Sequence, residues 1–500
     1  MASGVWRDKM YEEGRGVMDR RAFSRRGFLQ ATGPLLAASA LPLPSLEAVE
    51  TGAPQHIVIC IADDLGWHET GYQGHALLRT PVLDAMAGSG LRFDRFYAGA
   101  ALCAPTRGSI MTGRNANRYG AFSPNLSIRP EEITIGQLLR DHGFVNGYFG
   151  KWHLGPVRAG SPTNPGEMGF HEWLAHDNFF GHSPKLSRNG AEPERVNGES
   201  SEVVAREAVR FIGEQARAGK RSFTVVAFGS PHEPYTPIDE DIVPYHGKVP
   251  ERLAERFAEI SAMDRAIGFV RDGIRNAGIQ KNTLFWFVSD NGTPVPDRDV
   301  SPLRGAKGSY YEGGLRVPAI IEWPARIPAA RSTMLRSVTS DILPTLCELT
   351  GIPVPKRTLD GISLVPLLDG KMTERPGPIC FWAYDVQREA KENPEPYLSD
   401  EAQLGNTSTA KVPFIRFRNF KHPMARTENF GGTAAITDKR YKLYVPPKGP
   451  AELYDLDTDD AETTNIAGSQ PQLAKELRAK LEDWQRSVER SLTGEDYGKH

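Results

Sequence analysis

Ile57-Val58-Ile59-Cys60-Ile61-Ala62-Asp63-Asp64-Leu65-Gly66 is an unbroken apolar run that stops at two acids and a glycine. Without alternation, such a run reads as a strand covered on both faces, the pattern of a parallel sheet. Thr283-Leu284-Phe285-Trp286-Phe287-Val288 has the same form and ends in Ser289-Asp290-Asn291-Gly292. Two further runs follow suit: 144–149 leads into Gly150-Lys151-Trp152-His153-Leu154-Gly155, and 223–228 into Ser230-Pro231-His232-Glu233-Pro234. Ligands of open α/β sheets bind outside the carboxyl ends of the strands. The polar residues after these runs therefore stand where a site is expected.

From about residue 50 to 372, strands alternate with helical segments such as 200–218 and 252–277, which predicts a doubly wound α/β domain with a mostly parallel sheet. Leu359 to Gly370 reads as its end. Beyond it, 434–445 reads as a hairpin, 452–456 as a short strand and 471–490 as an amphipathic helix, together a smaller C-terminal α+β subdomain. The expected division is a leader over 1–48, a catalytic domain over 49–372 and the subdomain over 373–500. The tract 386–432 is polar and poorly periodic, either a flexible insertion or a loop shaping a pocket.

Adjacent carboxylates on a regular strand point to opposite faces, so Asp63 and Asp64 can share one ion only where the strand breaks, a freedom expected from Gly66. With Asp290 and the Asn291 amide they make an all-oxygen set suited to a hard cation, Ca²⁺ in the first place and Mg²⁺ in the second. Taken alone, either acidic pair reads equally well as Asp capping a strand-terminal turn. Lys151 is a point charge, and His153 and His232 have an unperturbed pKa close to neutral. A lone His after a strand is ordinarily a structural hydrogen-bonder, the reading given to His56, His142 and His422. The stretch from Leu303 to Pro318, with Lys307 inside it, has by itself the composition of a Gly-rich, basic surface loop.

The segment Cys103-Ala104-Pro105-Thr106-Arg107-Gly108-Ser109-Ile110-Met111-Thr112-Gly113-Arg114 ties these pieces together. Pro105 suits the first turn of a helix, which places Cys103 at or just before a helix N-terminus, an end that favours anions. Cys-x-Pro-x-Arg with the strand-end motifs around Asp63, Lys151, His232, Asp290 and Lys307 resembles the formylglycine-dependent sulfatase family. The resemblance implies an alkaline-phosphatase-like fold and oxidation of Cys103 to formylglycine, whose hydrate is the nucleophile. It also implies that this side chain joins Asp63, Asp64, Asp290 and Asn291 on one divalent ion. Arg107 would stabilise the hydrated aldehyde, and Lys151 and Lys307 would hold the sulfate. His232 would protonate the departing ester oxygen, giving a covalent sulfo-enzyme. His153 would then take the proton of the second hydroxyl as sulfate is expelled.

The implied partners are a sulfated small molecule or oligosaccharide, a formylglycine-generating or sulfatase-maturating enzyme and the twin-arginine export machinery. A phosphodiester or phosphonate monoester hydrolase of the same superfold is the nearest alternative; a non-catalytic binding protein is the alternative of another class. Three positions depart from the family pattern. Thr106 stands where Ser is usual, and Thr293-Pro294 stands where a His often follows, so Thr293 is assigned no role. His68 and Glu69 are unusual after Asp63-Asp64-Leu65-Gly66 and read as solvated loop residues.

The 500-residue chain carries a net charge of −2, which argues against nucleic acid or a membrane surface as a bulk electrostatic partner. No apolar run approaches the roughly 20 residues of a membrane span. Four cysteines, one of them reserved for modification, leave an odd number and argue against a dense disulfide framework. Ser24-Arg25-Arg26-Gly27-Phe28-Leu29-Gln30, followed by a mildly apolar stretch, resembles a twin-arginine export signal and implies a periplasmic or extracellular location.

Overall fold

The computed structural model describes residues 52–124, 126–296, 300–384 and 431–498. The export signal and most of the 386–432 tract lie outside these residues. Eleven strands form the main sheet: β1 (His56–Ala62), β2 (Leu91–Tyr97), β3 (Val145–Lys151), β4 (Glu172–His176), β5 (Lys185–Arg188), β6 (Glu194–Arg195), β7 (Ser222–Ala227), β8 (Thr283–Ser289), β9 (Arg316–Glu322), β10 (Arg331–Thr333) and β11 (Ser337–Val338). Their order is β10-β2-β9-β8-β1-β7-β3-β4-β5-β6, with β11 also on β2. The centre, β8-β1-β7-β3-β4, is parallel throughout, while β9 runs antiparallel to both β8 and β2.

The unbroken apolar run of β1 has a direct structural counterpart. Ile57, Ile59 and Ile61 pack into one core, and Val58, Cys60 and Ala62 into another on the opposite face. The first core is closed by the helices Cys103–Thr112 and Ile342–Thr350, the second by Ser200–Arg217 and Glu251–Asn276. Both faces are thus sealed from water, which is why the strand shows no polar alternation. Register brings the carboxyl ends level: Ala62 pairs with Ser289, Ile61 with Ala227, and Gly150 with Ala227. Gly150 has φ +115°, and a Cβ there would stand 1.8 Å from the Ala227 carbonyl oxygen. Only glycine lets β3 turn toward the site this close to β7.

A second, four-stranded antiparallel sheet comprises β12 (Ile379–Trp382), β13 (Ala434–Asp438), β14 (Tyr441–Val445) and β15 (Glu452–Asp455). Leu477, Leu481 and Val488 of the helix Pro471–Leu492 cover it, at the spacing that makes one helical face apolar. Fold class is therefore as the sequence predicts: mostly parallel α/β with a smaller C-terminal sheet and helix.

The C-terminal sheet is tied to the segment that carries Lys307. Lys442 of β14, fully buried, lies 3.0 Å from a carboxylate oxygen of Glu312 and 3.0 Å from one of Glu462. Tyr97 donates to Glu312 at 3.1 Å, and the Glu312 N–H donates to Glu462 at 2.6 Å. One cation facing two carboxylates splits them: burial and the neighbouring Glu312 push Glu462 up to about 7. Burial also pushes Glu312 up, but Lys442 and Arg316 outweigh it and hold that group low. Removing the cation strands buried charge, so Lys442→Met is expected to destabilise folding by about 3–5 kcal/mol. Denaturant unfolding monitored by tryptophan fluorescence checks this; a loss below about 1 kcal/mol would show the cluster to be replaceable.

Candidate active site

Four strand ends and one helix N-terminus converge. Cys103 is the first residue of the helix Cys103–Thr112 and only 3 % exposed; no side chain caps that helix end. Beside it β1 delivers Asp63 and Asp64, β8 delivers Asp290 and Asn291, β3 ends on Lys151, and the loop after β7 carries His232.

Asp64 is where the strand breaks. Its φ is +72°, in the left-handed region, and this reverses the alternation that would otherwise separate the two carboxylates. The break was expected from Gly66, whose φ is not in that region. Gly66 serves close approach instead: a Cβ there would lie 2.9 Å from Thr293 Cβ and 3.1 Å from a Glu69 carboxylate oxygen. Asp and Asn tolerate the left-handed conformation better than most residues, so the acid itself makes the turn.

The acids are matched by cations. Lys151 donates to Asp63 at 2.6 Å, and Lys307 to Asp64 at 2.7 Å. Arg107 donates through Nε to an Asp290 oxygen at 2.8 Å, with Nη2 in ion-pair contact 2.7 Å from the same oxygen, and through Nη1 to the Lys151 carbonyl at 2.9 Å. Asp290 also accepts from the Asp64 N–H at 3.1 Å, and the Asn291 amide donates to Asp64 at 2.7 Å. His232 Nε2 stands 3.7 Å from Asp64 Oδ2, while its Nδ1 donates to the Glu233 carbonyl at 2.5 Å, which fixes the tautomer. His153, 1 % exposed with φ +55°, has neither ring nitrogen in a hydrogen bond with any of the described residues.

Exposure orders the site from floor to mouth. Lys151 and Asp63 are sealed at 0 %, whereas the His232 and Lys307 side chains keep 17 % and 19 % of their surface. Among the described residues of the cluster, His232 and Lys307 are therefore on its solvent side. Burial pushes the Cys103 thiol up, against the pull of Lys151 and Lys307. Burial pushes Asp64 up as well, yet His232, Lys307 and Lys151 outweigh it and hold the group below the usual carboxylate range. Asp290 is pushed up to about 6, first by burial and then by Asp63. Burial lowers both histidines: His232 to about 4, with Asp64 opposing, and His153 well below its ordinary value, with Lys151 and Arg107 adding to the effect.

The donor set fits a hard cation. Single ligand atoms of Asp63, Asp64 and His232 lie within 4.8 Å of one another. Asp63 Oδ1 and Asn291 Oδ1 are buried and accept no hydrogen bond from any of the described residues. Orphaned buried acceptors carry a large desolvation cost, and a divalent ion is the partner that oxygen donors of this kind take. His232 also falls within this cluster, on its more exposed side.

Against these geometric facts the comparisons fall into place. Residues 55–352 match the family model described as Sulfatase. The chain belongs to the sulfatase family. It is 28 % identical over 478 residues to arylsulfatase A of Homo sapiens, covering 88 % of this chain and 90 % of the relative. It is 32 % identical over 367 residues to N-acetylgalactosamine-6-sulfatase of Canis lupus familiaris, covering 65 % and 68 %. Among solved structures, Ps i-CgsB in complex with k-i-k-neocarrahexaose superimposes with a TM-score of 0.73 at 22 % identity, covering 88 % of this chain and 94 % of that one. The fold is accordingly alkaline-phosphatase-like, and the sulfatase is a sulfuric ester hydrolase.

Two sequence readings need correction. Glu69 is not a solvated loop residue: it is 0 % exposed and bound to Arg256, which is also 0 % exposed. His68 is half-buried and stacked against Trp67. His68 also meets His75, whose ring packs edge-on against Phe257, and Glu69 is held by Arg256; both Phe257 and Arg256 lie on a helix distant in sequence, an effect invisible locally. Phe179 was also missed. Its ring stacks on His232 at 4.1 Å, and Lys151 Nζ lies 5.8 Å from its centroid. Thr106 closes the turn before the helix by donating to the Ala100 carbonyl at 2.8 Å and accepting from the Ala100 N–H at 3.0 Å, contacts made by a hydroxyl that Ser shares.

Proposed function

We propose that the sulfatase hydrolyses a sulfated carbohydrate through a formylglycine made from Cys103, with one divalent ion, Ca²⁺ first, held by Asp63, Asp64, Asp290, Asn291 and the modified side chain. The observation that carries the reading is Cys103 on a helix N-terminus, among an acid cluster with orphaned oxygens and a ring of buried cations. A hydrated aldehyde at Cys103 supplies two hydroxyls on one carbon. A bound divalent ion supplies charge that favours a hydroxylate at neutral pH and neutralises sulfate oxygens.

The protein's own groups do the rest. Lys151 and Lys307, paired with Asp63 and Asp64, would be the cationic donors for the sulfate oxygens, and Asp63 and Asp64 would hold the divalent ion. Arg107 fixes Asp290 and the β3 end. His232, at the mouth with Nδ1–H committed to Glu233, presents Nε2 to the leaving oxygen; an incoming sulfate anion favours its charged form, which donates that proton. His153, sealed inside and neutral, is suited to accept a proton from the second hydroxyl. The carbohydrate assignment draws on N-acetylgalactosamine-6-sulfatase and the neocarrahexaose complex among the similar proteins. With the twin-arginine-like leader it points to periplasmic or extracellular action, after modification by a formylglycine-generating enzyme.

Inorganic sulfate released from a panel of sulfated mono- and oligosaccharides tests this reading, beside an aryl sulfate and an aryl phosphodiester. Faster cleavage of the phosphodiester than of every sulfate ester would overturn it. The metal assignment has its own check. Asp290→Asn keeps the shape of the side chain but removes charge that oxygen-only sites depend on, so Ca²⁺ affinity should fall by about tenfold or more together with activity. Wild-type affinity by calorimetry would take Asp290 out of the ligand set.

A further inference from the structure

We infer that Glu69 and Arg256 are a positioning pair that holds the Asp64 turn and the His232 loop at a fixed separation. Arg256 projects from the helix Glu251–Asn276 and spreads its guanidinium over three chain segments. Nε and Nη2 donate to the two Glu69 oxygens at 2.7 and 2.6 Å. Nη2 also donates to the Asp64 carbonyl at 2.6 Å, and Nη1 to the Pro231 carbonyl at 2.9 Å, one residue before His232. Glu69 in turn accepts from the Gly66 N–H at 2.8 Å.

The left-handed Asp64 is thus gripped at both peptide groups, its N–H by Asp290 and its carbonyl by Arg256. A non-glycine residue stays in that region when its surroundings over-determine it. Glu259, on the same helix, completes the hold on the second loop, accepting from the Ser230 hydroxyl at 2.5 Å and the Thr236 N–H at 2.7 Å. Apolar substitutes often replace a buried ion pair without loss of stability. A planar fork that reaches two carbonyls and a carboxylate at once has no such substitute, and Lys, a point donor, cannot span them. The pair touches no substrate atom; its effect passes through Asp64 and His232, so the inference rests on the roles proposed for those residues.

The test uses Arg256→Lys and the isosteric Glu69→Gln, with His232→Ala as comparator, in formylglycine-bearing protein, Ca²⁺-saturated for the kinetics and metal-stripped for the calorimetry. Two quantities are read: the ratio of kcat/KM on an alkyl sulfate to that on an activated aryl sulfate, and the Ca²⁺ Kd by calorimetry. Misplacement by about 1 Å costs ~10²-fold. Both pair variants should therefore lower the alkyl-to-aryl ratio by about tenfold or more and raise the Kd by about tenfold. A merely structural pair would lower the melting temperature and leave both quantities, per folded molecule, at wild-type. Should Arg256→Lys fail to fold, Glu69→Gln gives the same two readouts. Wild-type values for both, or a change confined to one, would overturn the coupling while His232→Ala still shifts the ratio. If His232→Ala leaves the ratio unchanged, the general-acid role fails, and the Kd alone decides for or against the pair.

Discussion

Cys103→Ser is expected to lower kcat on an aryl sulfate by about 10⁵-fold or more, the scale on which enzymes lose rate when a covalent nucleophile is removed. The substitution is small and the position is sealed, so the fold and the proposed metal ligands Asp63, Asp64 and Asp290 stay in place. What changes is chemistry. Serine has one hydroxyl where the proposed hydrate has two, and so offers no second proton through which the aldehyde could re-form. An unmodified thiol serves no better: burial pushes Cys103 up and keeps it protonated, while the thiolate is the reactive form. The check is steady-state turnover of Cys103→Ser beside the modified wild type. Activity within about tenfold of wild type would mean that another group attacks sulfur.

The two histidines should fail differently. His232→Ala removes the group at the mouth that faces Asp64 and stacks on Phe179. Alkyl sulfates, whose leaving alcohols need a proton, should lose about 10²–10⁴-fold, and activated aryl sulfates far less. His153→Ala removes a buried base and leaves the mouth intact. It should release about one alcohol per active site in a fast phase and then turn over slowly, the signature of a blocked second half-reaction. Rapid-quench kinetics on both substrate types separates the cases. Equal losses for both variants on both substrates, with no fast phase for His153→Ala, would reverse the roles assigned here.

Much of this site was legible because chemistry and strand ends coincide in the sequence. The runs ending at Asp63, Lys151, Phe228 and Asp290 give both the sheet and the level at which the site lies. What escaped was held by contacts between distant segments. Gly66 drew attention as the only glycine near the acidic pair, yet the reversal is made by Asp64, pinned by Asp290 and Arg256 from 226 and 192 residues away. Glu69 has the local look of a loop acid, and nothing nearby in sequence announces its partner. Arg256 did leave a signal: it shares a helical stripe with the buried Ile260, Met263 and Ile267, and a charge on an apolar stripe asks for a buried partner. Phe179 follows β4 and the titratable pair His176-Asp177, and as an apolar ring it carries none of the polar character that marks the other site residues in the sequence.

The mass of the proteolytic peptide containing Cys103, taken from catalytically active protein made with a competent modifying enzyme, tests the central claim most directly. Replacement of the thiol-bearing CH₂–SH by an aldehyde lowers the peptide mass by about 18 Da, a change distinct from the oxygen additions of ordinary cysteine oxidation. The expected result is that this species is present and that its fraction tracks specific activity across preparations. Full sulfatase activity in protein whose Cys103 peptide carries only the unmodified thiol would contradict the account.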